Sequence, residues 1–475
     1  MSRILHRINR HRSTILMGII TAGIYLLLTI CFFGLMGINN PQMLRASRTA
    51  GTVLLTWCVM LGLSNTIYGG FDVGHKKNKP VISSMCLGAC VTDLVAYVQL
   101  QIMNVNEHNN ATLELLGGDL PYLLLTILMQ AVCVVIFVRL GNRTYFSLNP
   151  PKRCLLVLGQ DDDEQEVMHK ILRYQLQWRV DRITRAEDPD IITKIWASEC
   201  VFLSGVTAQQ QMELLHLCYN MQKDVICRAQ LEDIMLANAR QVIVDDAPFM
   251  AMDFHHMTLF QRIVKRVGDI GCSLIVLIVL SPLYLLISLA IFLEDGAPVI
   301  FHQKRMTVNG RVFTICKFRT MTRAASNAES QFSAQQGDQR ITRVGAFLRR
   351  TRLDELPQFW NILRGDMTLV GPRPEMLENI SRYKAQLPAF AYREKMKAGL
   401  TGFAQIEGRY NTTPEDKLMM DLMYIESFSI WLDIKLIFRT LTVFFKSDST
   451  QGFSGDSGKS AEGNTTENKD NGGNT

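Results

Sequence analysis

Four long apolar stretches lie in the first third of the chain, at residues 14–38, 52–68, 81–103 and 120–140. Each is long enough to cross a bilayer as a helix. Arginines precede the first stretch, as in a signal peptide, but it is long and no small-residue cleavage site follows it, so we interpret it as an anchor. The pattern predicts a four-helix transmembrane region over residues 1–147.

Basic residues flank these stretches unevenly. Three lysines occur within 76–79 and four basic residues within 139–153, whereas 104–119 contains acids and neither Lys nor Arg. The positive-inside rule then places the N-terminus and everything after the fourth helix in the cytosol. Arg45 and Arg48, which this topology puts outside, are a minor conflict.

From about Cys154 the pattern changes to short apolar runs separated by amphipathic segments. Runs at 154–159, 200–204, 224–227 and 241–244 alternate with helical stretches such as 209–221, which is typical of a small parallel α/β domain. We place a Rossmann-like domain with a structural or regulatory role at residues 148–250.

Nucleotide binding by this domain is disfavoured, although its first strand ends at Gly159. The segment 160–163 that follows lacks the glycines that allow backbone amides to approach a pyrophosphate, and its three carboxylates would repel one. The domain is therefore interpreted as a degenerate Rossmann-like domain.

A fifth apolar run, residues 270–293, contains Ser281-Pro282 near its middle and has charged residues on both sides. Because proline removes a backbone donor and clashes with the preceding turn, the helix should bend there. Ser281 and Pro282 are thus a predicted structural hinge. Two geometries remain open from the pattern alone: a kinked span, or a hairpin that enters and leaves the same leaflet.

The composition agrees with a membrane protein that has large water-exposed parts. Of 475 residues, 48% are hydrophobic and 20% charged, which excludes a disordered protein, a coiled coil and a disulfide miniprotein. The 11 scattered cysteines indicate neither a disulfide framework nor a thiolate metal site, and the net charge of +6 suits anionic partners. Residues 448–475, rich in Ser, Gly, Asn, Thr, Asp and Glu, are predicted to be disordered.

The densest cluster of charged residues runs from 301 to 374. Charge alone favours a solvated basic face on anionic lipid over a phosphate site, but Asp354-Glu355 shifts that balance. Pro357 indicates that the pair stands at or just before a helix start, where amides attract phosphate. One carboxylate can attack phosphorus while its neighbour holds Mg²⁺, and the prolines around Arg373 restrict its backbone.

These motifs together resemble the bacterial polyprenyl-phosphate sugar-1-phosphate transferases, the monotopic phosphoglycosyl transferase superfamily, over roughly residues 264–445. The motifs that carry the resemblance are Lys265-Arg266 with Asp269, the blocks 317–321, 353–358, 365–367 and 371–374, and residues 399–402 with Gln405 and Gly408-Arg409. The upstream helices and α/β domain look like the large subgroup, which begins exopolysaccharide, capsule and O-antigen assembly.

The resemblance implies an activity and a set of site residues. Members transfer a sugar-1-phosphate from a UDP-sugar to undecaprenyl phosphate, release UMP, and pass through a phospho-aspartyl enzyme that needs Mg²⁺. By motif match Asp354 is the nucleophile and Glu355 its metal-binding neighbour, with both as candidate Mg²⁺ ligands. The candidate phosphate-binding residues are Arg349, Arg373, Lys317, Arg319, Lys265 and Arg266.

The resemblance also bears on location and partners. Because UDP-sugars are cytosolic, a re-entrant helix over 264–293 is favoured within a mostly α catalytic domain at 251–447, on the cytosolic face of the bacterial cytoplasmic membrane. The expected partners are the UDP-sugar, undecaprenyl phosphate and the lipid bilayer, with a homodimer or other polysaccharide assembly proteins as further candidates and no nucleic acid. Glucose and galactose are the leading sugars by family habit.

Two competing hypotheses belong to other functional classes. In the first, the chain is a non-catalytic scaffold of a polysaccharide assembly complex, against which the intact Asp354, Glu355 and Arg373 argue. In the second, it is a transporter or receptor, but the four apolar stretches hold almost no charge beyond Asp93, so no ion pathway is visible.

Overall fold

The computed structural model describes residues 2–70, 78–103, 117–160, 162–252, 257–323, 340–408 and 412–443, without the side chains of 2–14 and 441–443. The chain folds as two compact units, Met1–Gln230 and Leu231–Thr475. The predicted disordered tail at 448–475 lies outside the described residues, as do Lys76, Lys77 and Arg409.

Four long helices open the first unit: α1 Ser2–Asn39, α2 Arg48–Tyr68, α3 Asn78–Met103 and α4 Leu120–Leu148. Ile15–Asn39 of α1 and the whole of the other three are long and apolar enough to cross a membrane, which confirms the predicted apolar helices. Phe32, Trp57 and Leu100 are buried between them, while Leu55 and Leu128 point outward. A bundle that is apolar inside and outside suits a lipid environment.

A parallel four-stranded sheet completes the first unit. Its strands are β1 Lys152–Leu158, β2 Trp178–Arg185, β3 Cys200–Ser204 and β4 Asp224–Cys227, in the order β2-β1-β3-β4, and its helices are α5 Glu164–Leu172, α6 Ile191–Ala197 and α7 Ala208–Asn220. Leu155 and Val157 enter one core cluster and Leu156 and Leu158 another, which explains why β1 is a continuous apolar run. The α/β prediction is confirmed; strand β2 was missed because charged residues interrupt it.

The prediction that 241–244 joins this sheet is wrong. Strand β5 Arg240–Val244 pairs antiparallel with β6 Ala247–Ala251 in a separate hairpin. The turn between them places Asp245 at φ 60, and the chain reverses at once instead of crossing over to the parallel sheet. The preceding helix α8, Leu231–Leu236, buries Ile234 in the core of the second unit, and the first unit ends at 230. The domain boundary at 250 stays a prediction.

A bent pair of apolar helices begins the main body of the second unit. Helices α9 Leu259–Val279 and α10 Ser281–Asp295 meet at 62°, which confirms the bend predicted at Ser281-Pro282. Pro282 has no N–H for the carbonyl of Ile278, and the Ser281 hydroxyl donates to that oxygen instead at 2.8 Å.

The remaining elements pack around a second core that includes Ile362, Val370, Phe390 and Leu422. They are the antiparallel hairpin β7 Ile300–Met306 and β8 Val312–Phe318, the parallel pair β9 Thr368–Val370 and β10 Gly399–Thr401, and the helices α11 Arg343–Thr351, α12 Gln358–Arg364, α13 Leu377–Gln386, α14 Phe403–Glu407, α15 Pro414–Glu426 and α16 Ile430–Val443. This part of the chain is mostly helical, as predicted.

Candidate active site

The Asp354-Glu355 pair occupies a tight turn between two helices. Helix α11 ends before Arg352, which has a left-handed backbone at φ 55, and the 3-10 turn Leu353–Glu355 follows. Helix α12 then begins with Pro357 as its N-cap, so the carboxylates do stand just before a helix start. A left-handed arginine is uncommon, and such strained positions often occur at functional sites.

Apolar neighbours fix this turn on helix α10. Leu353 and Leu356, on either side of the carboxylates, pack against the cluster of Ile287, Ile291 and Phe318. The Tyr284 hydroxyl of α10 also donates to the Leu356 carbonyl at 2.5 Å. The proposed nucleophile is therefore held directly on the second arm of the bent helix pair.

Two cations converge on one oxygen of Glu355. Lys317 Nζ lies 3.0 Å and an Arg373 guanidinium nitrogen 3.4 Å from Glu355 Oε1. Burial alone would raise the pKa of Glu355, but the charges of Lys317, Arg373 and Arg352 outweigh it and lower the pKa. Glu355 is thus an ionised carboxylate within a cationic cluster.

Asp354 behaves in the opposite way. Burial, followed by the negative charge of Glu355, raises the pKa of Asp354, while Lys317, Arg349 and Arg373 oppose the rise. Adjacent carboxyl groups whose pKa values are pushed apart are typical of catalytic pairs with different roles. Because Glu355 is engaged by Lys317 and Arg373, Asp354 is the better candidate for attack on phosphorus.

Arg349 is positioned by its own helix. Its Nε donates to Thr320 Oγ1 at 2.8 Å, and Gly345, one turn earlier in α11, lies so close to the Thr320 carbonyl that a Cβ there would overlap it. The glycine lets α11 approach the segment after β8, so that the charge of Arg349 acts on Asp354.

Arg319, a predicted phosphate-binding residue, lies elsewhere. It is 2% exposed and donates to the carbonyls of Asp295 and Gly296 at 2.9 and 2.7 Å, with Asp295 Oδ2 at 3.1 Å. These are the groups at the C-terminal end of α10, where a cation stabilises the helix. These contacts hold Arg319 at the end of α10, and its role in phosphate binding stays a prediction.

Lys265 and Arg266 are also engaged away from the carboxylates. Lys265 forms an ion pair with Asp433 and donates to the Val370 carbonyl at 2.9 Å. Arg266 donates to the carbonyls of Ile362 and Leu363, both at 2.7 Å, at the end of α12. Both residues join α9 to the catalytic unit.

Sequence reasoning did not select two arginines that the structure adds. Arg352 is among the charges that lower the pKa of Glu355. Burial, followed by the neighbouring charge of Arg373, lowers the pKa of Arg305 to about 10. Both lie in basic runs of the sequence, and no feature of those runs distinguishes them from arginines that are exposed to solvent.

The carboxylate pair fits Mg²⁺ only in combination with substrate oxygens. Among the described residues, no group of three or more His, Cys, Asp or Glu side chains is placed to hold a metal ion. Mg²⁺ in phosphoryl-transfer sites is usually held by one or two carboxylates together with substrate phosphates and water. Asp354 and Glu355 meet that requirement.

Comparisons with known proteins identify a family for this part of the chain. The sequence profile of a family described as bacterial sugar transferase matches residues 260–447. A UDP-glucose:undecaprenyl-phosphate glucose-1-phosphate transferase of Caulobacter vibrioides is 40% identical over 190 residues, which are 39% of this chain and 71% of that protein. The chain belongs to the bacterial sugar transferase family. The resemblance found in the motifs is thereby confirmed.

Two further relatives in this family differ in the sugar that they are named for. A UDP-glucose:undecaprenyl-phosphate glucose-1-phosphate transferase of Klebsiella pneumoniae is 43% identical over 214 residues, 44% of this chain and 45% of that protein. A UDP-N-acetylgalactosamine-undecaprenyl-phosphate N-acetylgalactosaminephosphotransferase of Aeromonas hydrophila is 41% identical over 181 residues, 38% of this chain and 43% of that protein. The matched part of the chain spans under half the length of these two relatives.

Proposed function

We propose that this sugar transferase moves a sugar-1-phosphate from a UDP-sugar to undecaprenyl phosphate and releases UMP. The observation that carries the proposal is the Asp354-Glu355 turn, which lies among Lys317, Arg349 and Arg373 and is fixed on a bent membrane helix. Such a site brings a nucleophile and cations for a diphosphate to the place where a lipid phosphate would lie.

The proposed reaction has two displacements at the phosphorus that carries the sugar. An Asp354 carboxylate oxygen forms a bond to this phosphorus. At the same time the bond between the phosphorus and the bridging oxygen breaks, and UMP leaves with the electron pair. A phosphate oxygen of undecaprenyl phosphate then attacks the same phosphorus, and the Asp354 carboxylate leaves. The products are UMP and an undecaprenyl-diphosphate sugar.

Cationic side chains reduce the electrostatic repulsion between an anionic nucleophile and the anionic diphosphate. Lys317, Arg373 and Arg349 lower the repulsion and stabilise the charge that develops on the phosphoryl oxygens. Mg²⁺, which Asp354 and Glu355 would hold together with substrate oxygens, supplies further neutralisation of that charge. Glu355, kept ionised by its neighbours, maintains this arrangement while Asp354 reacts.

The proposal includes a re-entrant geometry for α9 and α10. Contacts next to both ends of the apolar run 270–293 involve the same unit: Asp269 accepts from the Leu369 N–H at 2.9 Å, and Glu294 accepts from the Arg343 N–H at 2.8 Å. A straight span would separate such ends by the hydrocarbon thickness of about 30 Å. These contacts support a hairpin that enters and leaves one leaflet, which we place at the cytosolic face of the inner membrane.

The α/β region has a structural or regulatory role in this proposal. At the carboxyl ends of β1 and β3, where open α/β sheets bind nucleotides, Asp162 accepts a hydrogen bond from Ser204 and pairs with Arg228 at 3.2 Å. A carboxylate in that crevice supports the interpretation as a degenerate Rossmann-like domain. A homodimer and contacts with other polysaccharide assembly proteins stay predictions of the resemblance.

The deciding experiment measures UMP release by the full chain in nanodiscs with undecaprenyl phosphate and Mg²⁺. A panel of UDP-glucose, UDP-galactose and UDP-N-acetylgalactosamine identifies the donor. Asp354→Asn should abolish release, and Glu355→Gln should shift the magnesium titration, whereas the control Glu407→Gln, which breaks an ion pair with Arg439 elsewhere, should change neither. Failure of every donor with wild-type protein would refute the proposal, and substantial release by Asp354→Asn would refute the role of that residue.

A further inference from the structure

The main-chain carbonyls of the segment that carries Arg373 accept hydrogen bonds from three other parts of the chain. The carbonyls of residues 372, 373 and 374 accept hydrogen bonds from the Gly399 N–H at 2.9 Å, the Arg393 guanidinium at 2.8 Å and the Arg305 guanidinium at 3.3 Å, respectively. Prolines on either side of Arg373 have no N–H of their own. Three main-chain carbonyls of the segment thus take part in positioning it.

Arg393 is the central donor of the three and is buried. It belongs to the 3-10 segment Pro388–Lys395, is 5% exposed, and its guanidinium lies 4.9 Å from the Phe390 ring centroid. Its counter-charge is Asp421 of α15, which is 1% exposed and 2.7 Å away. A buried charge pair that is also hydrogen-bonded to a neighbouring main chain holds a defined geometry.

Arg393 contacts the main chain of Arg373, whereas Glu355 of the carboxylate pair contacts its side chain. The main-chain carbonyl of Arg373 meets Arg393, while its side chain, 44% exposed, extends to Glu355 Oε1 at 3.4 Å. Moving this carbonyl by even about 1 Å would change the reach of a guanidinium that must meet a phosphate, and misplacement of that size can cost about 100-fold in rate.

We propose that Arg393, held by Asp421, is a positioning residue that fixes the backbone of Arg373 and thereby aims its guanidinium at the site of phosphoryl transfer. The inference rests on the proposed function for its catalytic consequence, but the clasp between Arg393 and the Arg373 carbonyl is independent of it. Arg393 contacts the main chain of a catalytic residue and not the reacting atoms.

A double-mutant cycle separates positioning from general structural support. Arg393→Gln should lower kcat/KM for UMP release by about 10- to 100-fold in wild-type background. In an Arg373→Ala background it should lower the residual rate by less than about threefold, because there is no guanidinium left to aim. Asp421→Asn, which keeps the side-chain shape, is the second variant in case Arg393→Gln folds poorly. It should lower kcat/KM in the same direction but by a smaller factor.

A matched control tests whether any broken ion pair nearby has the same effect. Lys384→Gln breaks the pair that Lys384 forms at 2.6 Å with Glu394, the residue next to Arg393, without touching the 372–374 carbonyls. This variant should keep kcat/KM within about twofold of wild type. Losses of equal size in Arg393→Gln and Lys384→Gln would overturn the proposal, as would the same fold-loss from Arg393→Gln with and without Arg373.

Hydrogen exchange on the same proteins gives a readout that needs no turnover. Peptides that cover 371–376 and 397–401 should exchange faster in Arg393→Gln and Asp421→Asn than in wild type or Lys384→Gln. Unchanged exchange would refute the clasp even if activity fell. Faster exchange in a protein whose wild type releases no UMP would retain the clasp and refute the proposed function instead.

Discussion

Replacing Lys317 with Met tests the electrostatics of the site most directly. Lys317 Nζ is 3.0 Å from Glu355 Oε1, and the two side chains are 19% and 17% exposed. At an effective dielectric constant of about 20, the attraction between two unit charges at this separation is about 5 kcal/mol before any desolvation is counted. Arg373, at 3.4 Å from the same oxygen, remains in the variant and contributes a similar attraction.

The net loss of stability should be smaller than this gross attraction. Removing one partner of a buried pair costs about 3–5 kcal/mol, and the residual exposure of this pair together with Arg373 reduces that to about 2–3 kcal/mol. In a unit of this size the loss corresponds to a decrease of about 5–10 °C in melting temperature. Catalysis should fall more steeply, by about 10²- to 10³-fold in kcat, as when one preorganised donor is removed from an oxyanion site.

A double variant distinguishes the two effects. Lys317→Met with Glu355→Gln should recover most of the lost stability, because the uncompensated buried carboxylate is gone, yet its UMP release should stay low. Lys384→Met, which removes a lysine from another ion pair, serves as the control. Thermal unfolding in nanodiscs and UMP release are measured on the wild type, Lys317→Met, the double variant and Lys384→Met. A double variant that is as unstable as Lys317→Met would refute the pairing that this reasoning assumes.

Three other predictions concern the surroundings of the site and the membrane region. Gly345→Ala should lower UMP release about 10-fold, because the added methyl would overlap a carbonyl and displace α11, whereas Gly268→Ala, with no atom within 4 Å of the new Cβ, should not. Asp93→Leu should lower the melting temperature of the first unit by removing the acceptor of two buried side-chain donors, at about 1–3 kcal/mol, while Asp93→Asn, which keeps an oxygen, should be tolerated. Cysteines introduced near Lys265 and near Asp295 should both be labelled only from the cytosolic side; external labelling of the second would refute re-entry.

The membrane helices and most of the parallel sheet were predictable because their cause is local. Nearly uninterrupted apolar residues mark α2 and α4, and a strand covered on both faces, such as β1, is itself an apolar run. Strand β2 has one face and an edge exposed, and its Arg179, Asp181 and Arg182 obscure the alternation of apolar and polar residues that marks a strand. The β5 strand was assigned to the wrong sheet because a run of apolar residues does not indicate which strand it pairs with.

The roles of the basic residues were less predictable than their presence. The motif match selected Lys317, Arg349 and Arg373, and these are the cations that act on Asp354. It also named Arg319, Lys265 and Arg266, which donate to carbonyls at helix ends and at the end of β9. Which carbonyl lies within reach of a guanidinium depends on tertiary packing, and no spacing along the chain encodes it.

Side chains of α9 and α10 connect the bent helix pair to the candidate active site. On α9, Lys265 and Asp269 grip β9, and the strand leads within three residues to Arg373. On α10, Tyr284 holds the carbonyl of Leu356, two residues after Asp354. The segments that carry Asp354, the proposed nucleophile, and Arg373 thus each contact a different arm of the bent pair. Because a change in the 62° bend at Ser281-Pro282 would move one arm relative to the other, we expect such a change to alter the separation between Asp354 and Arg373.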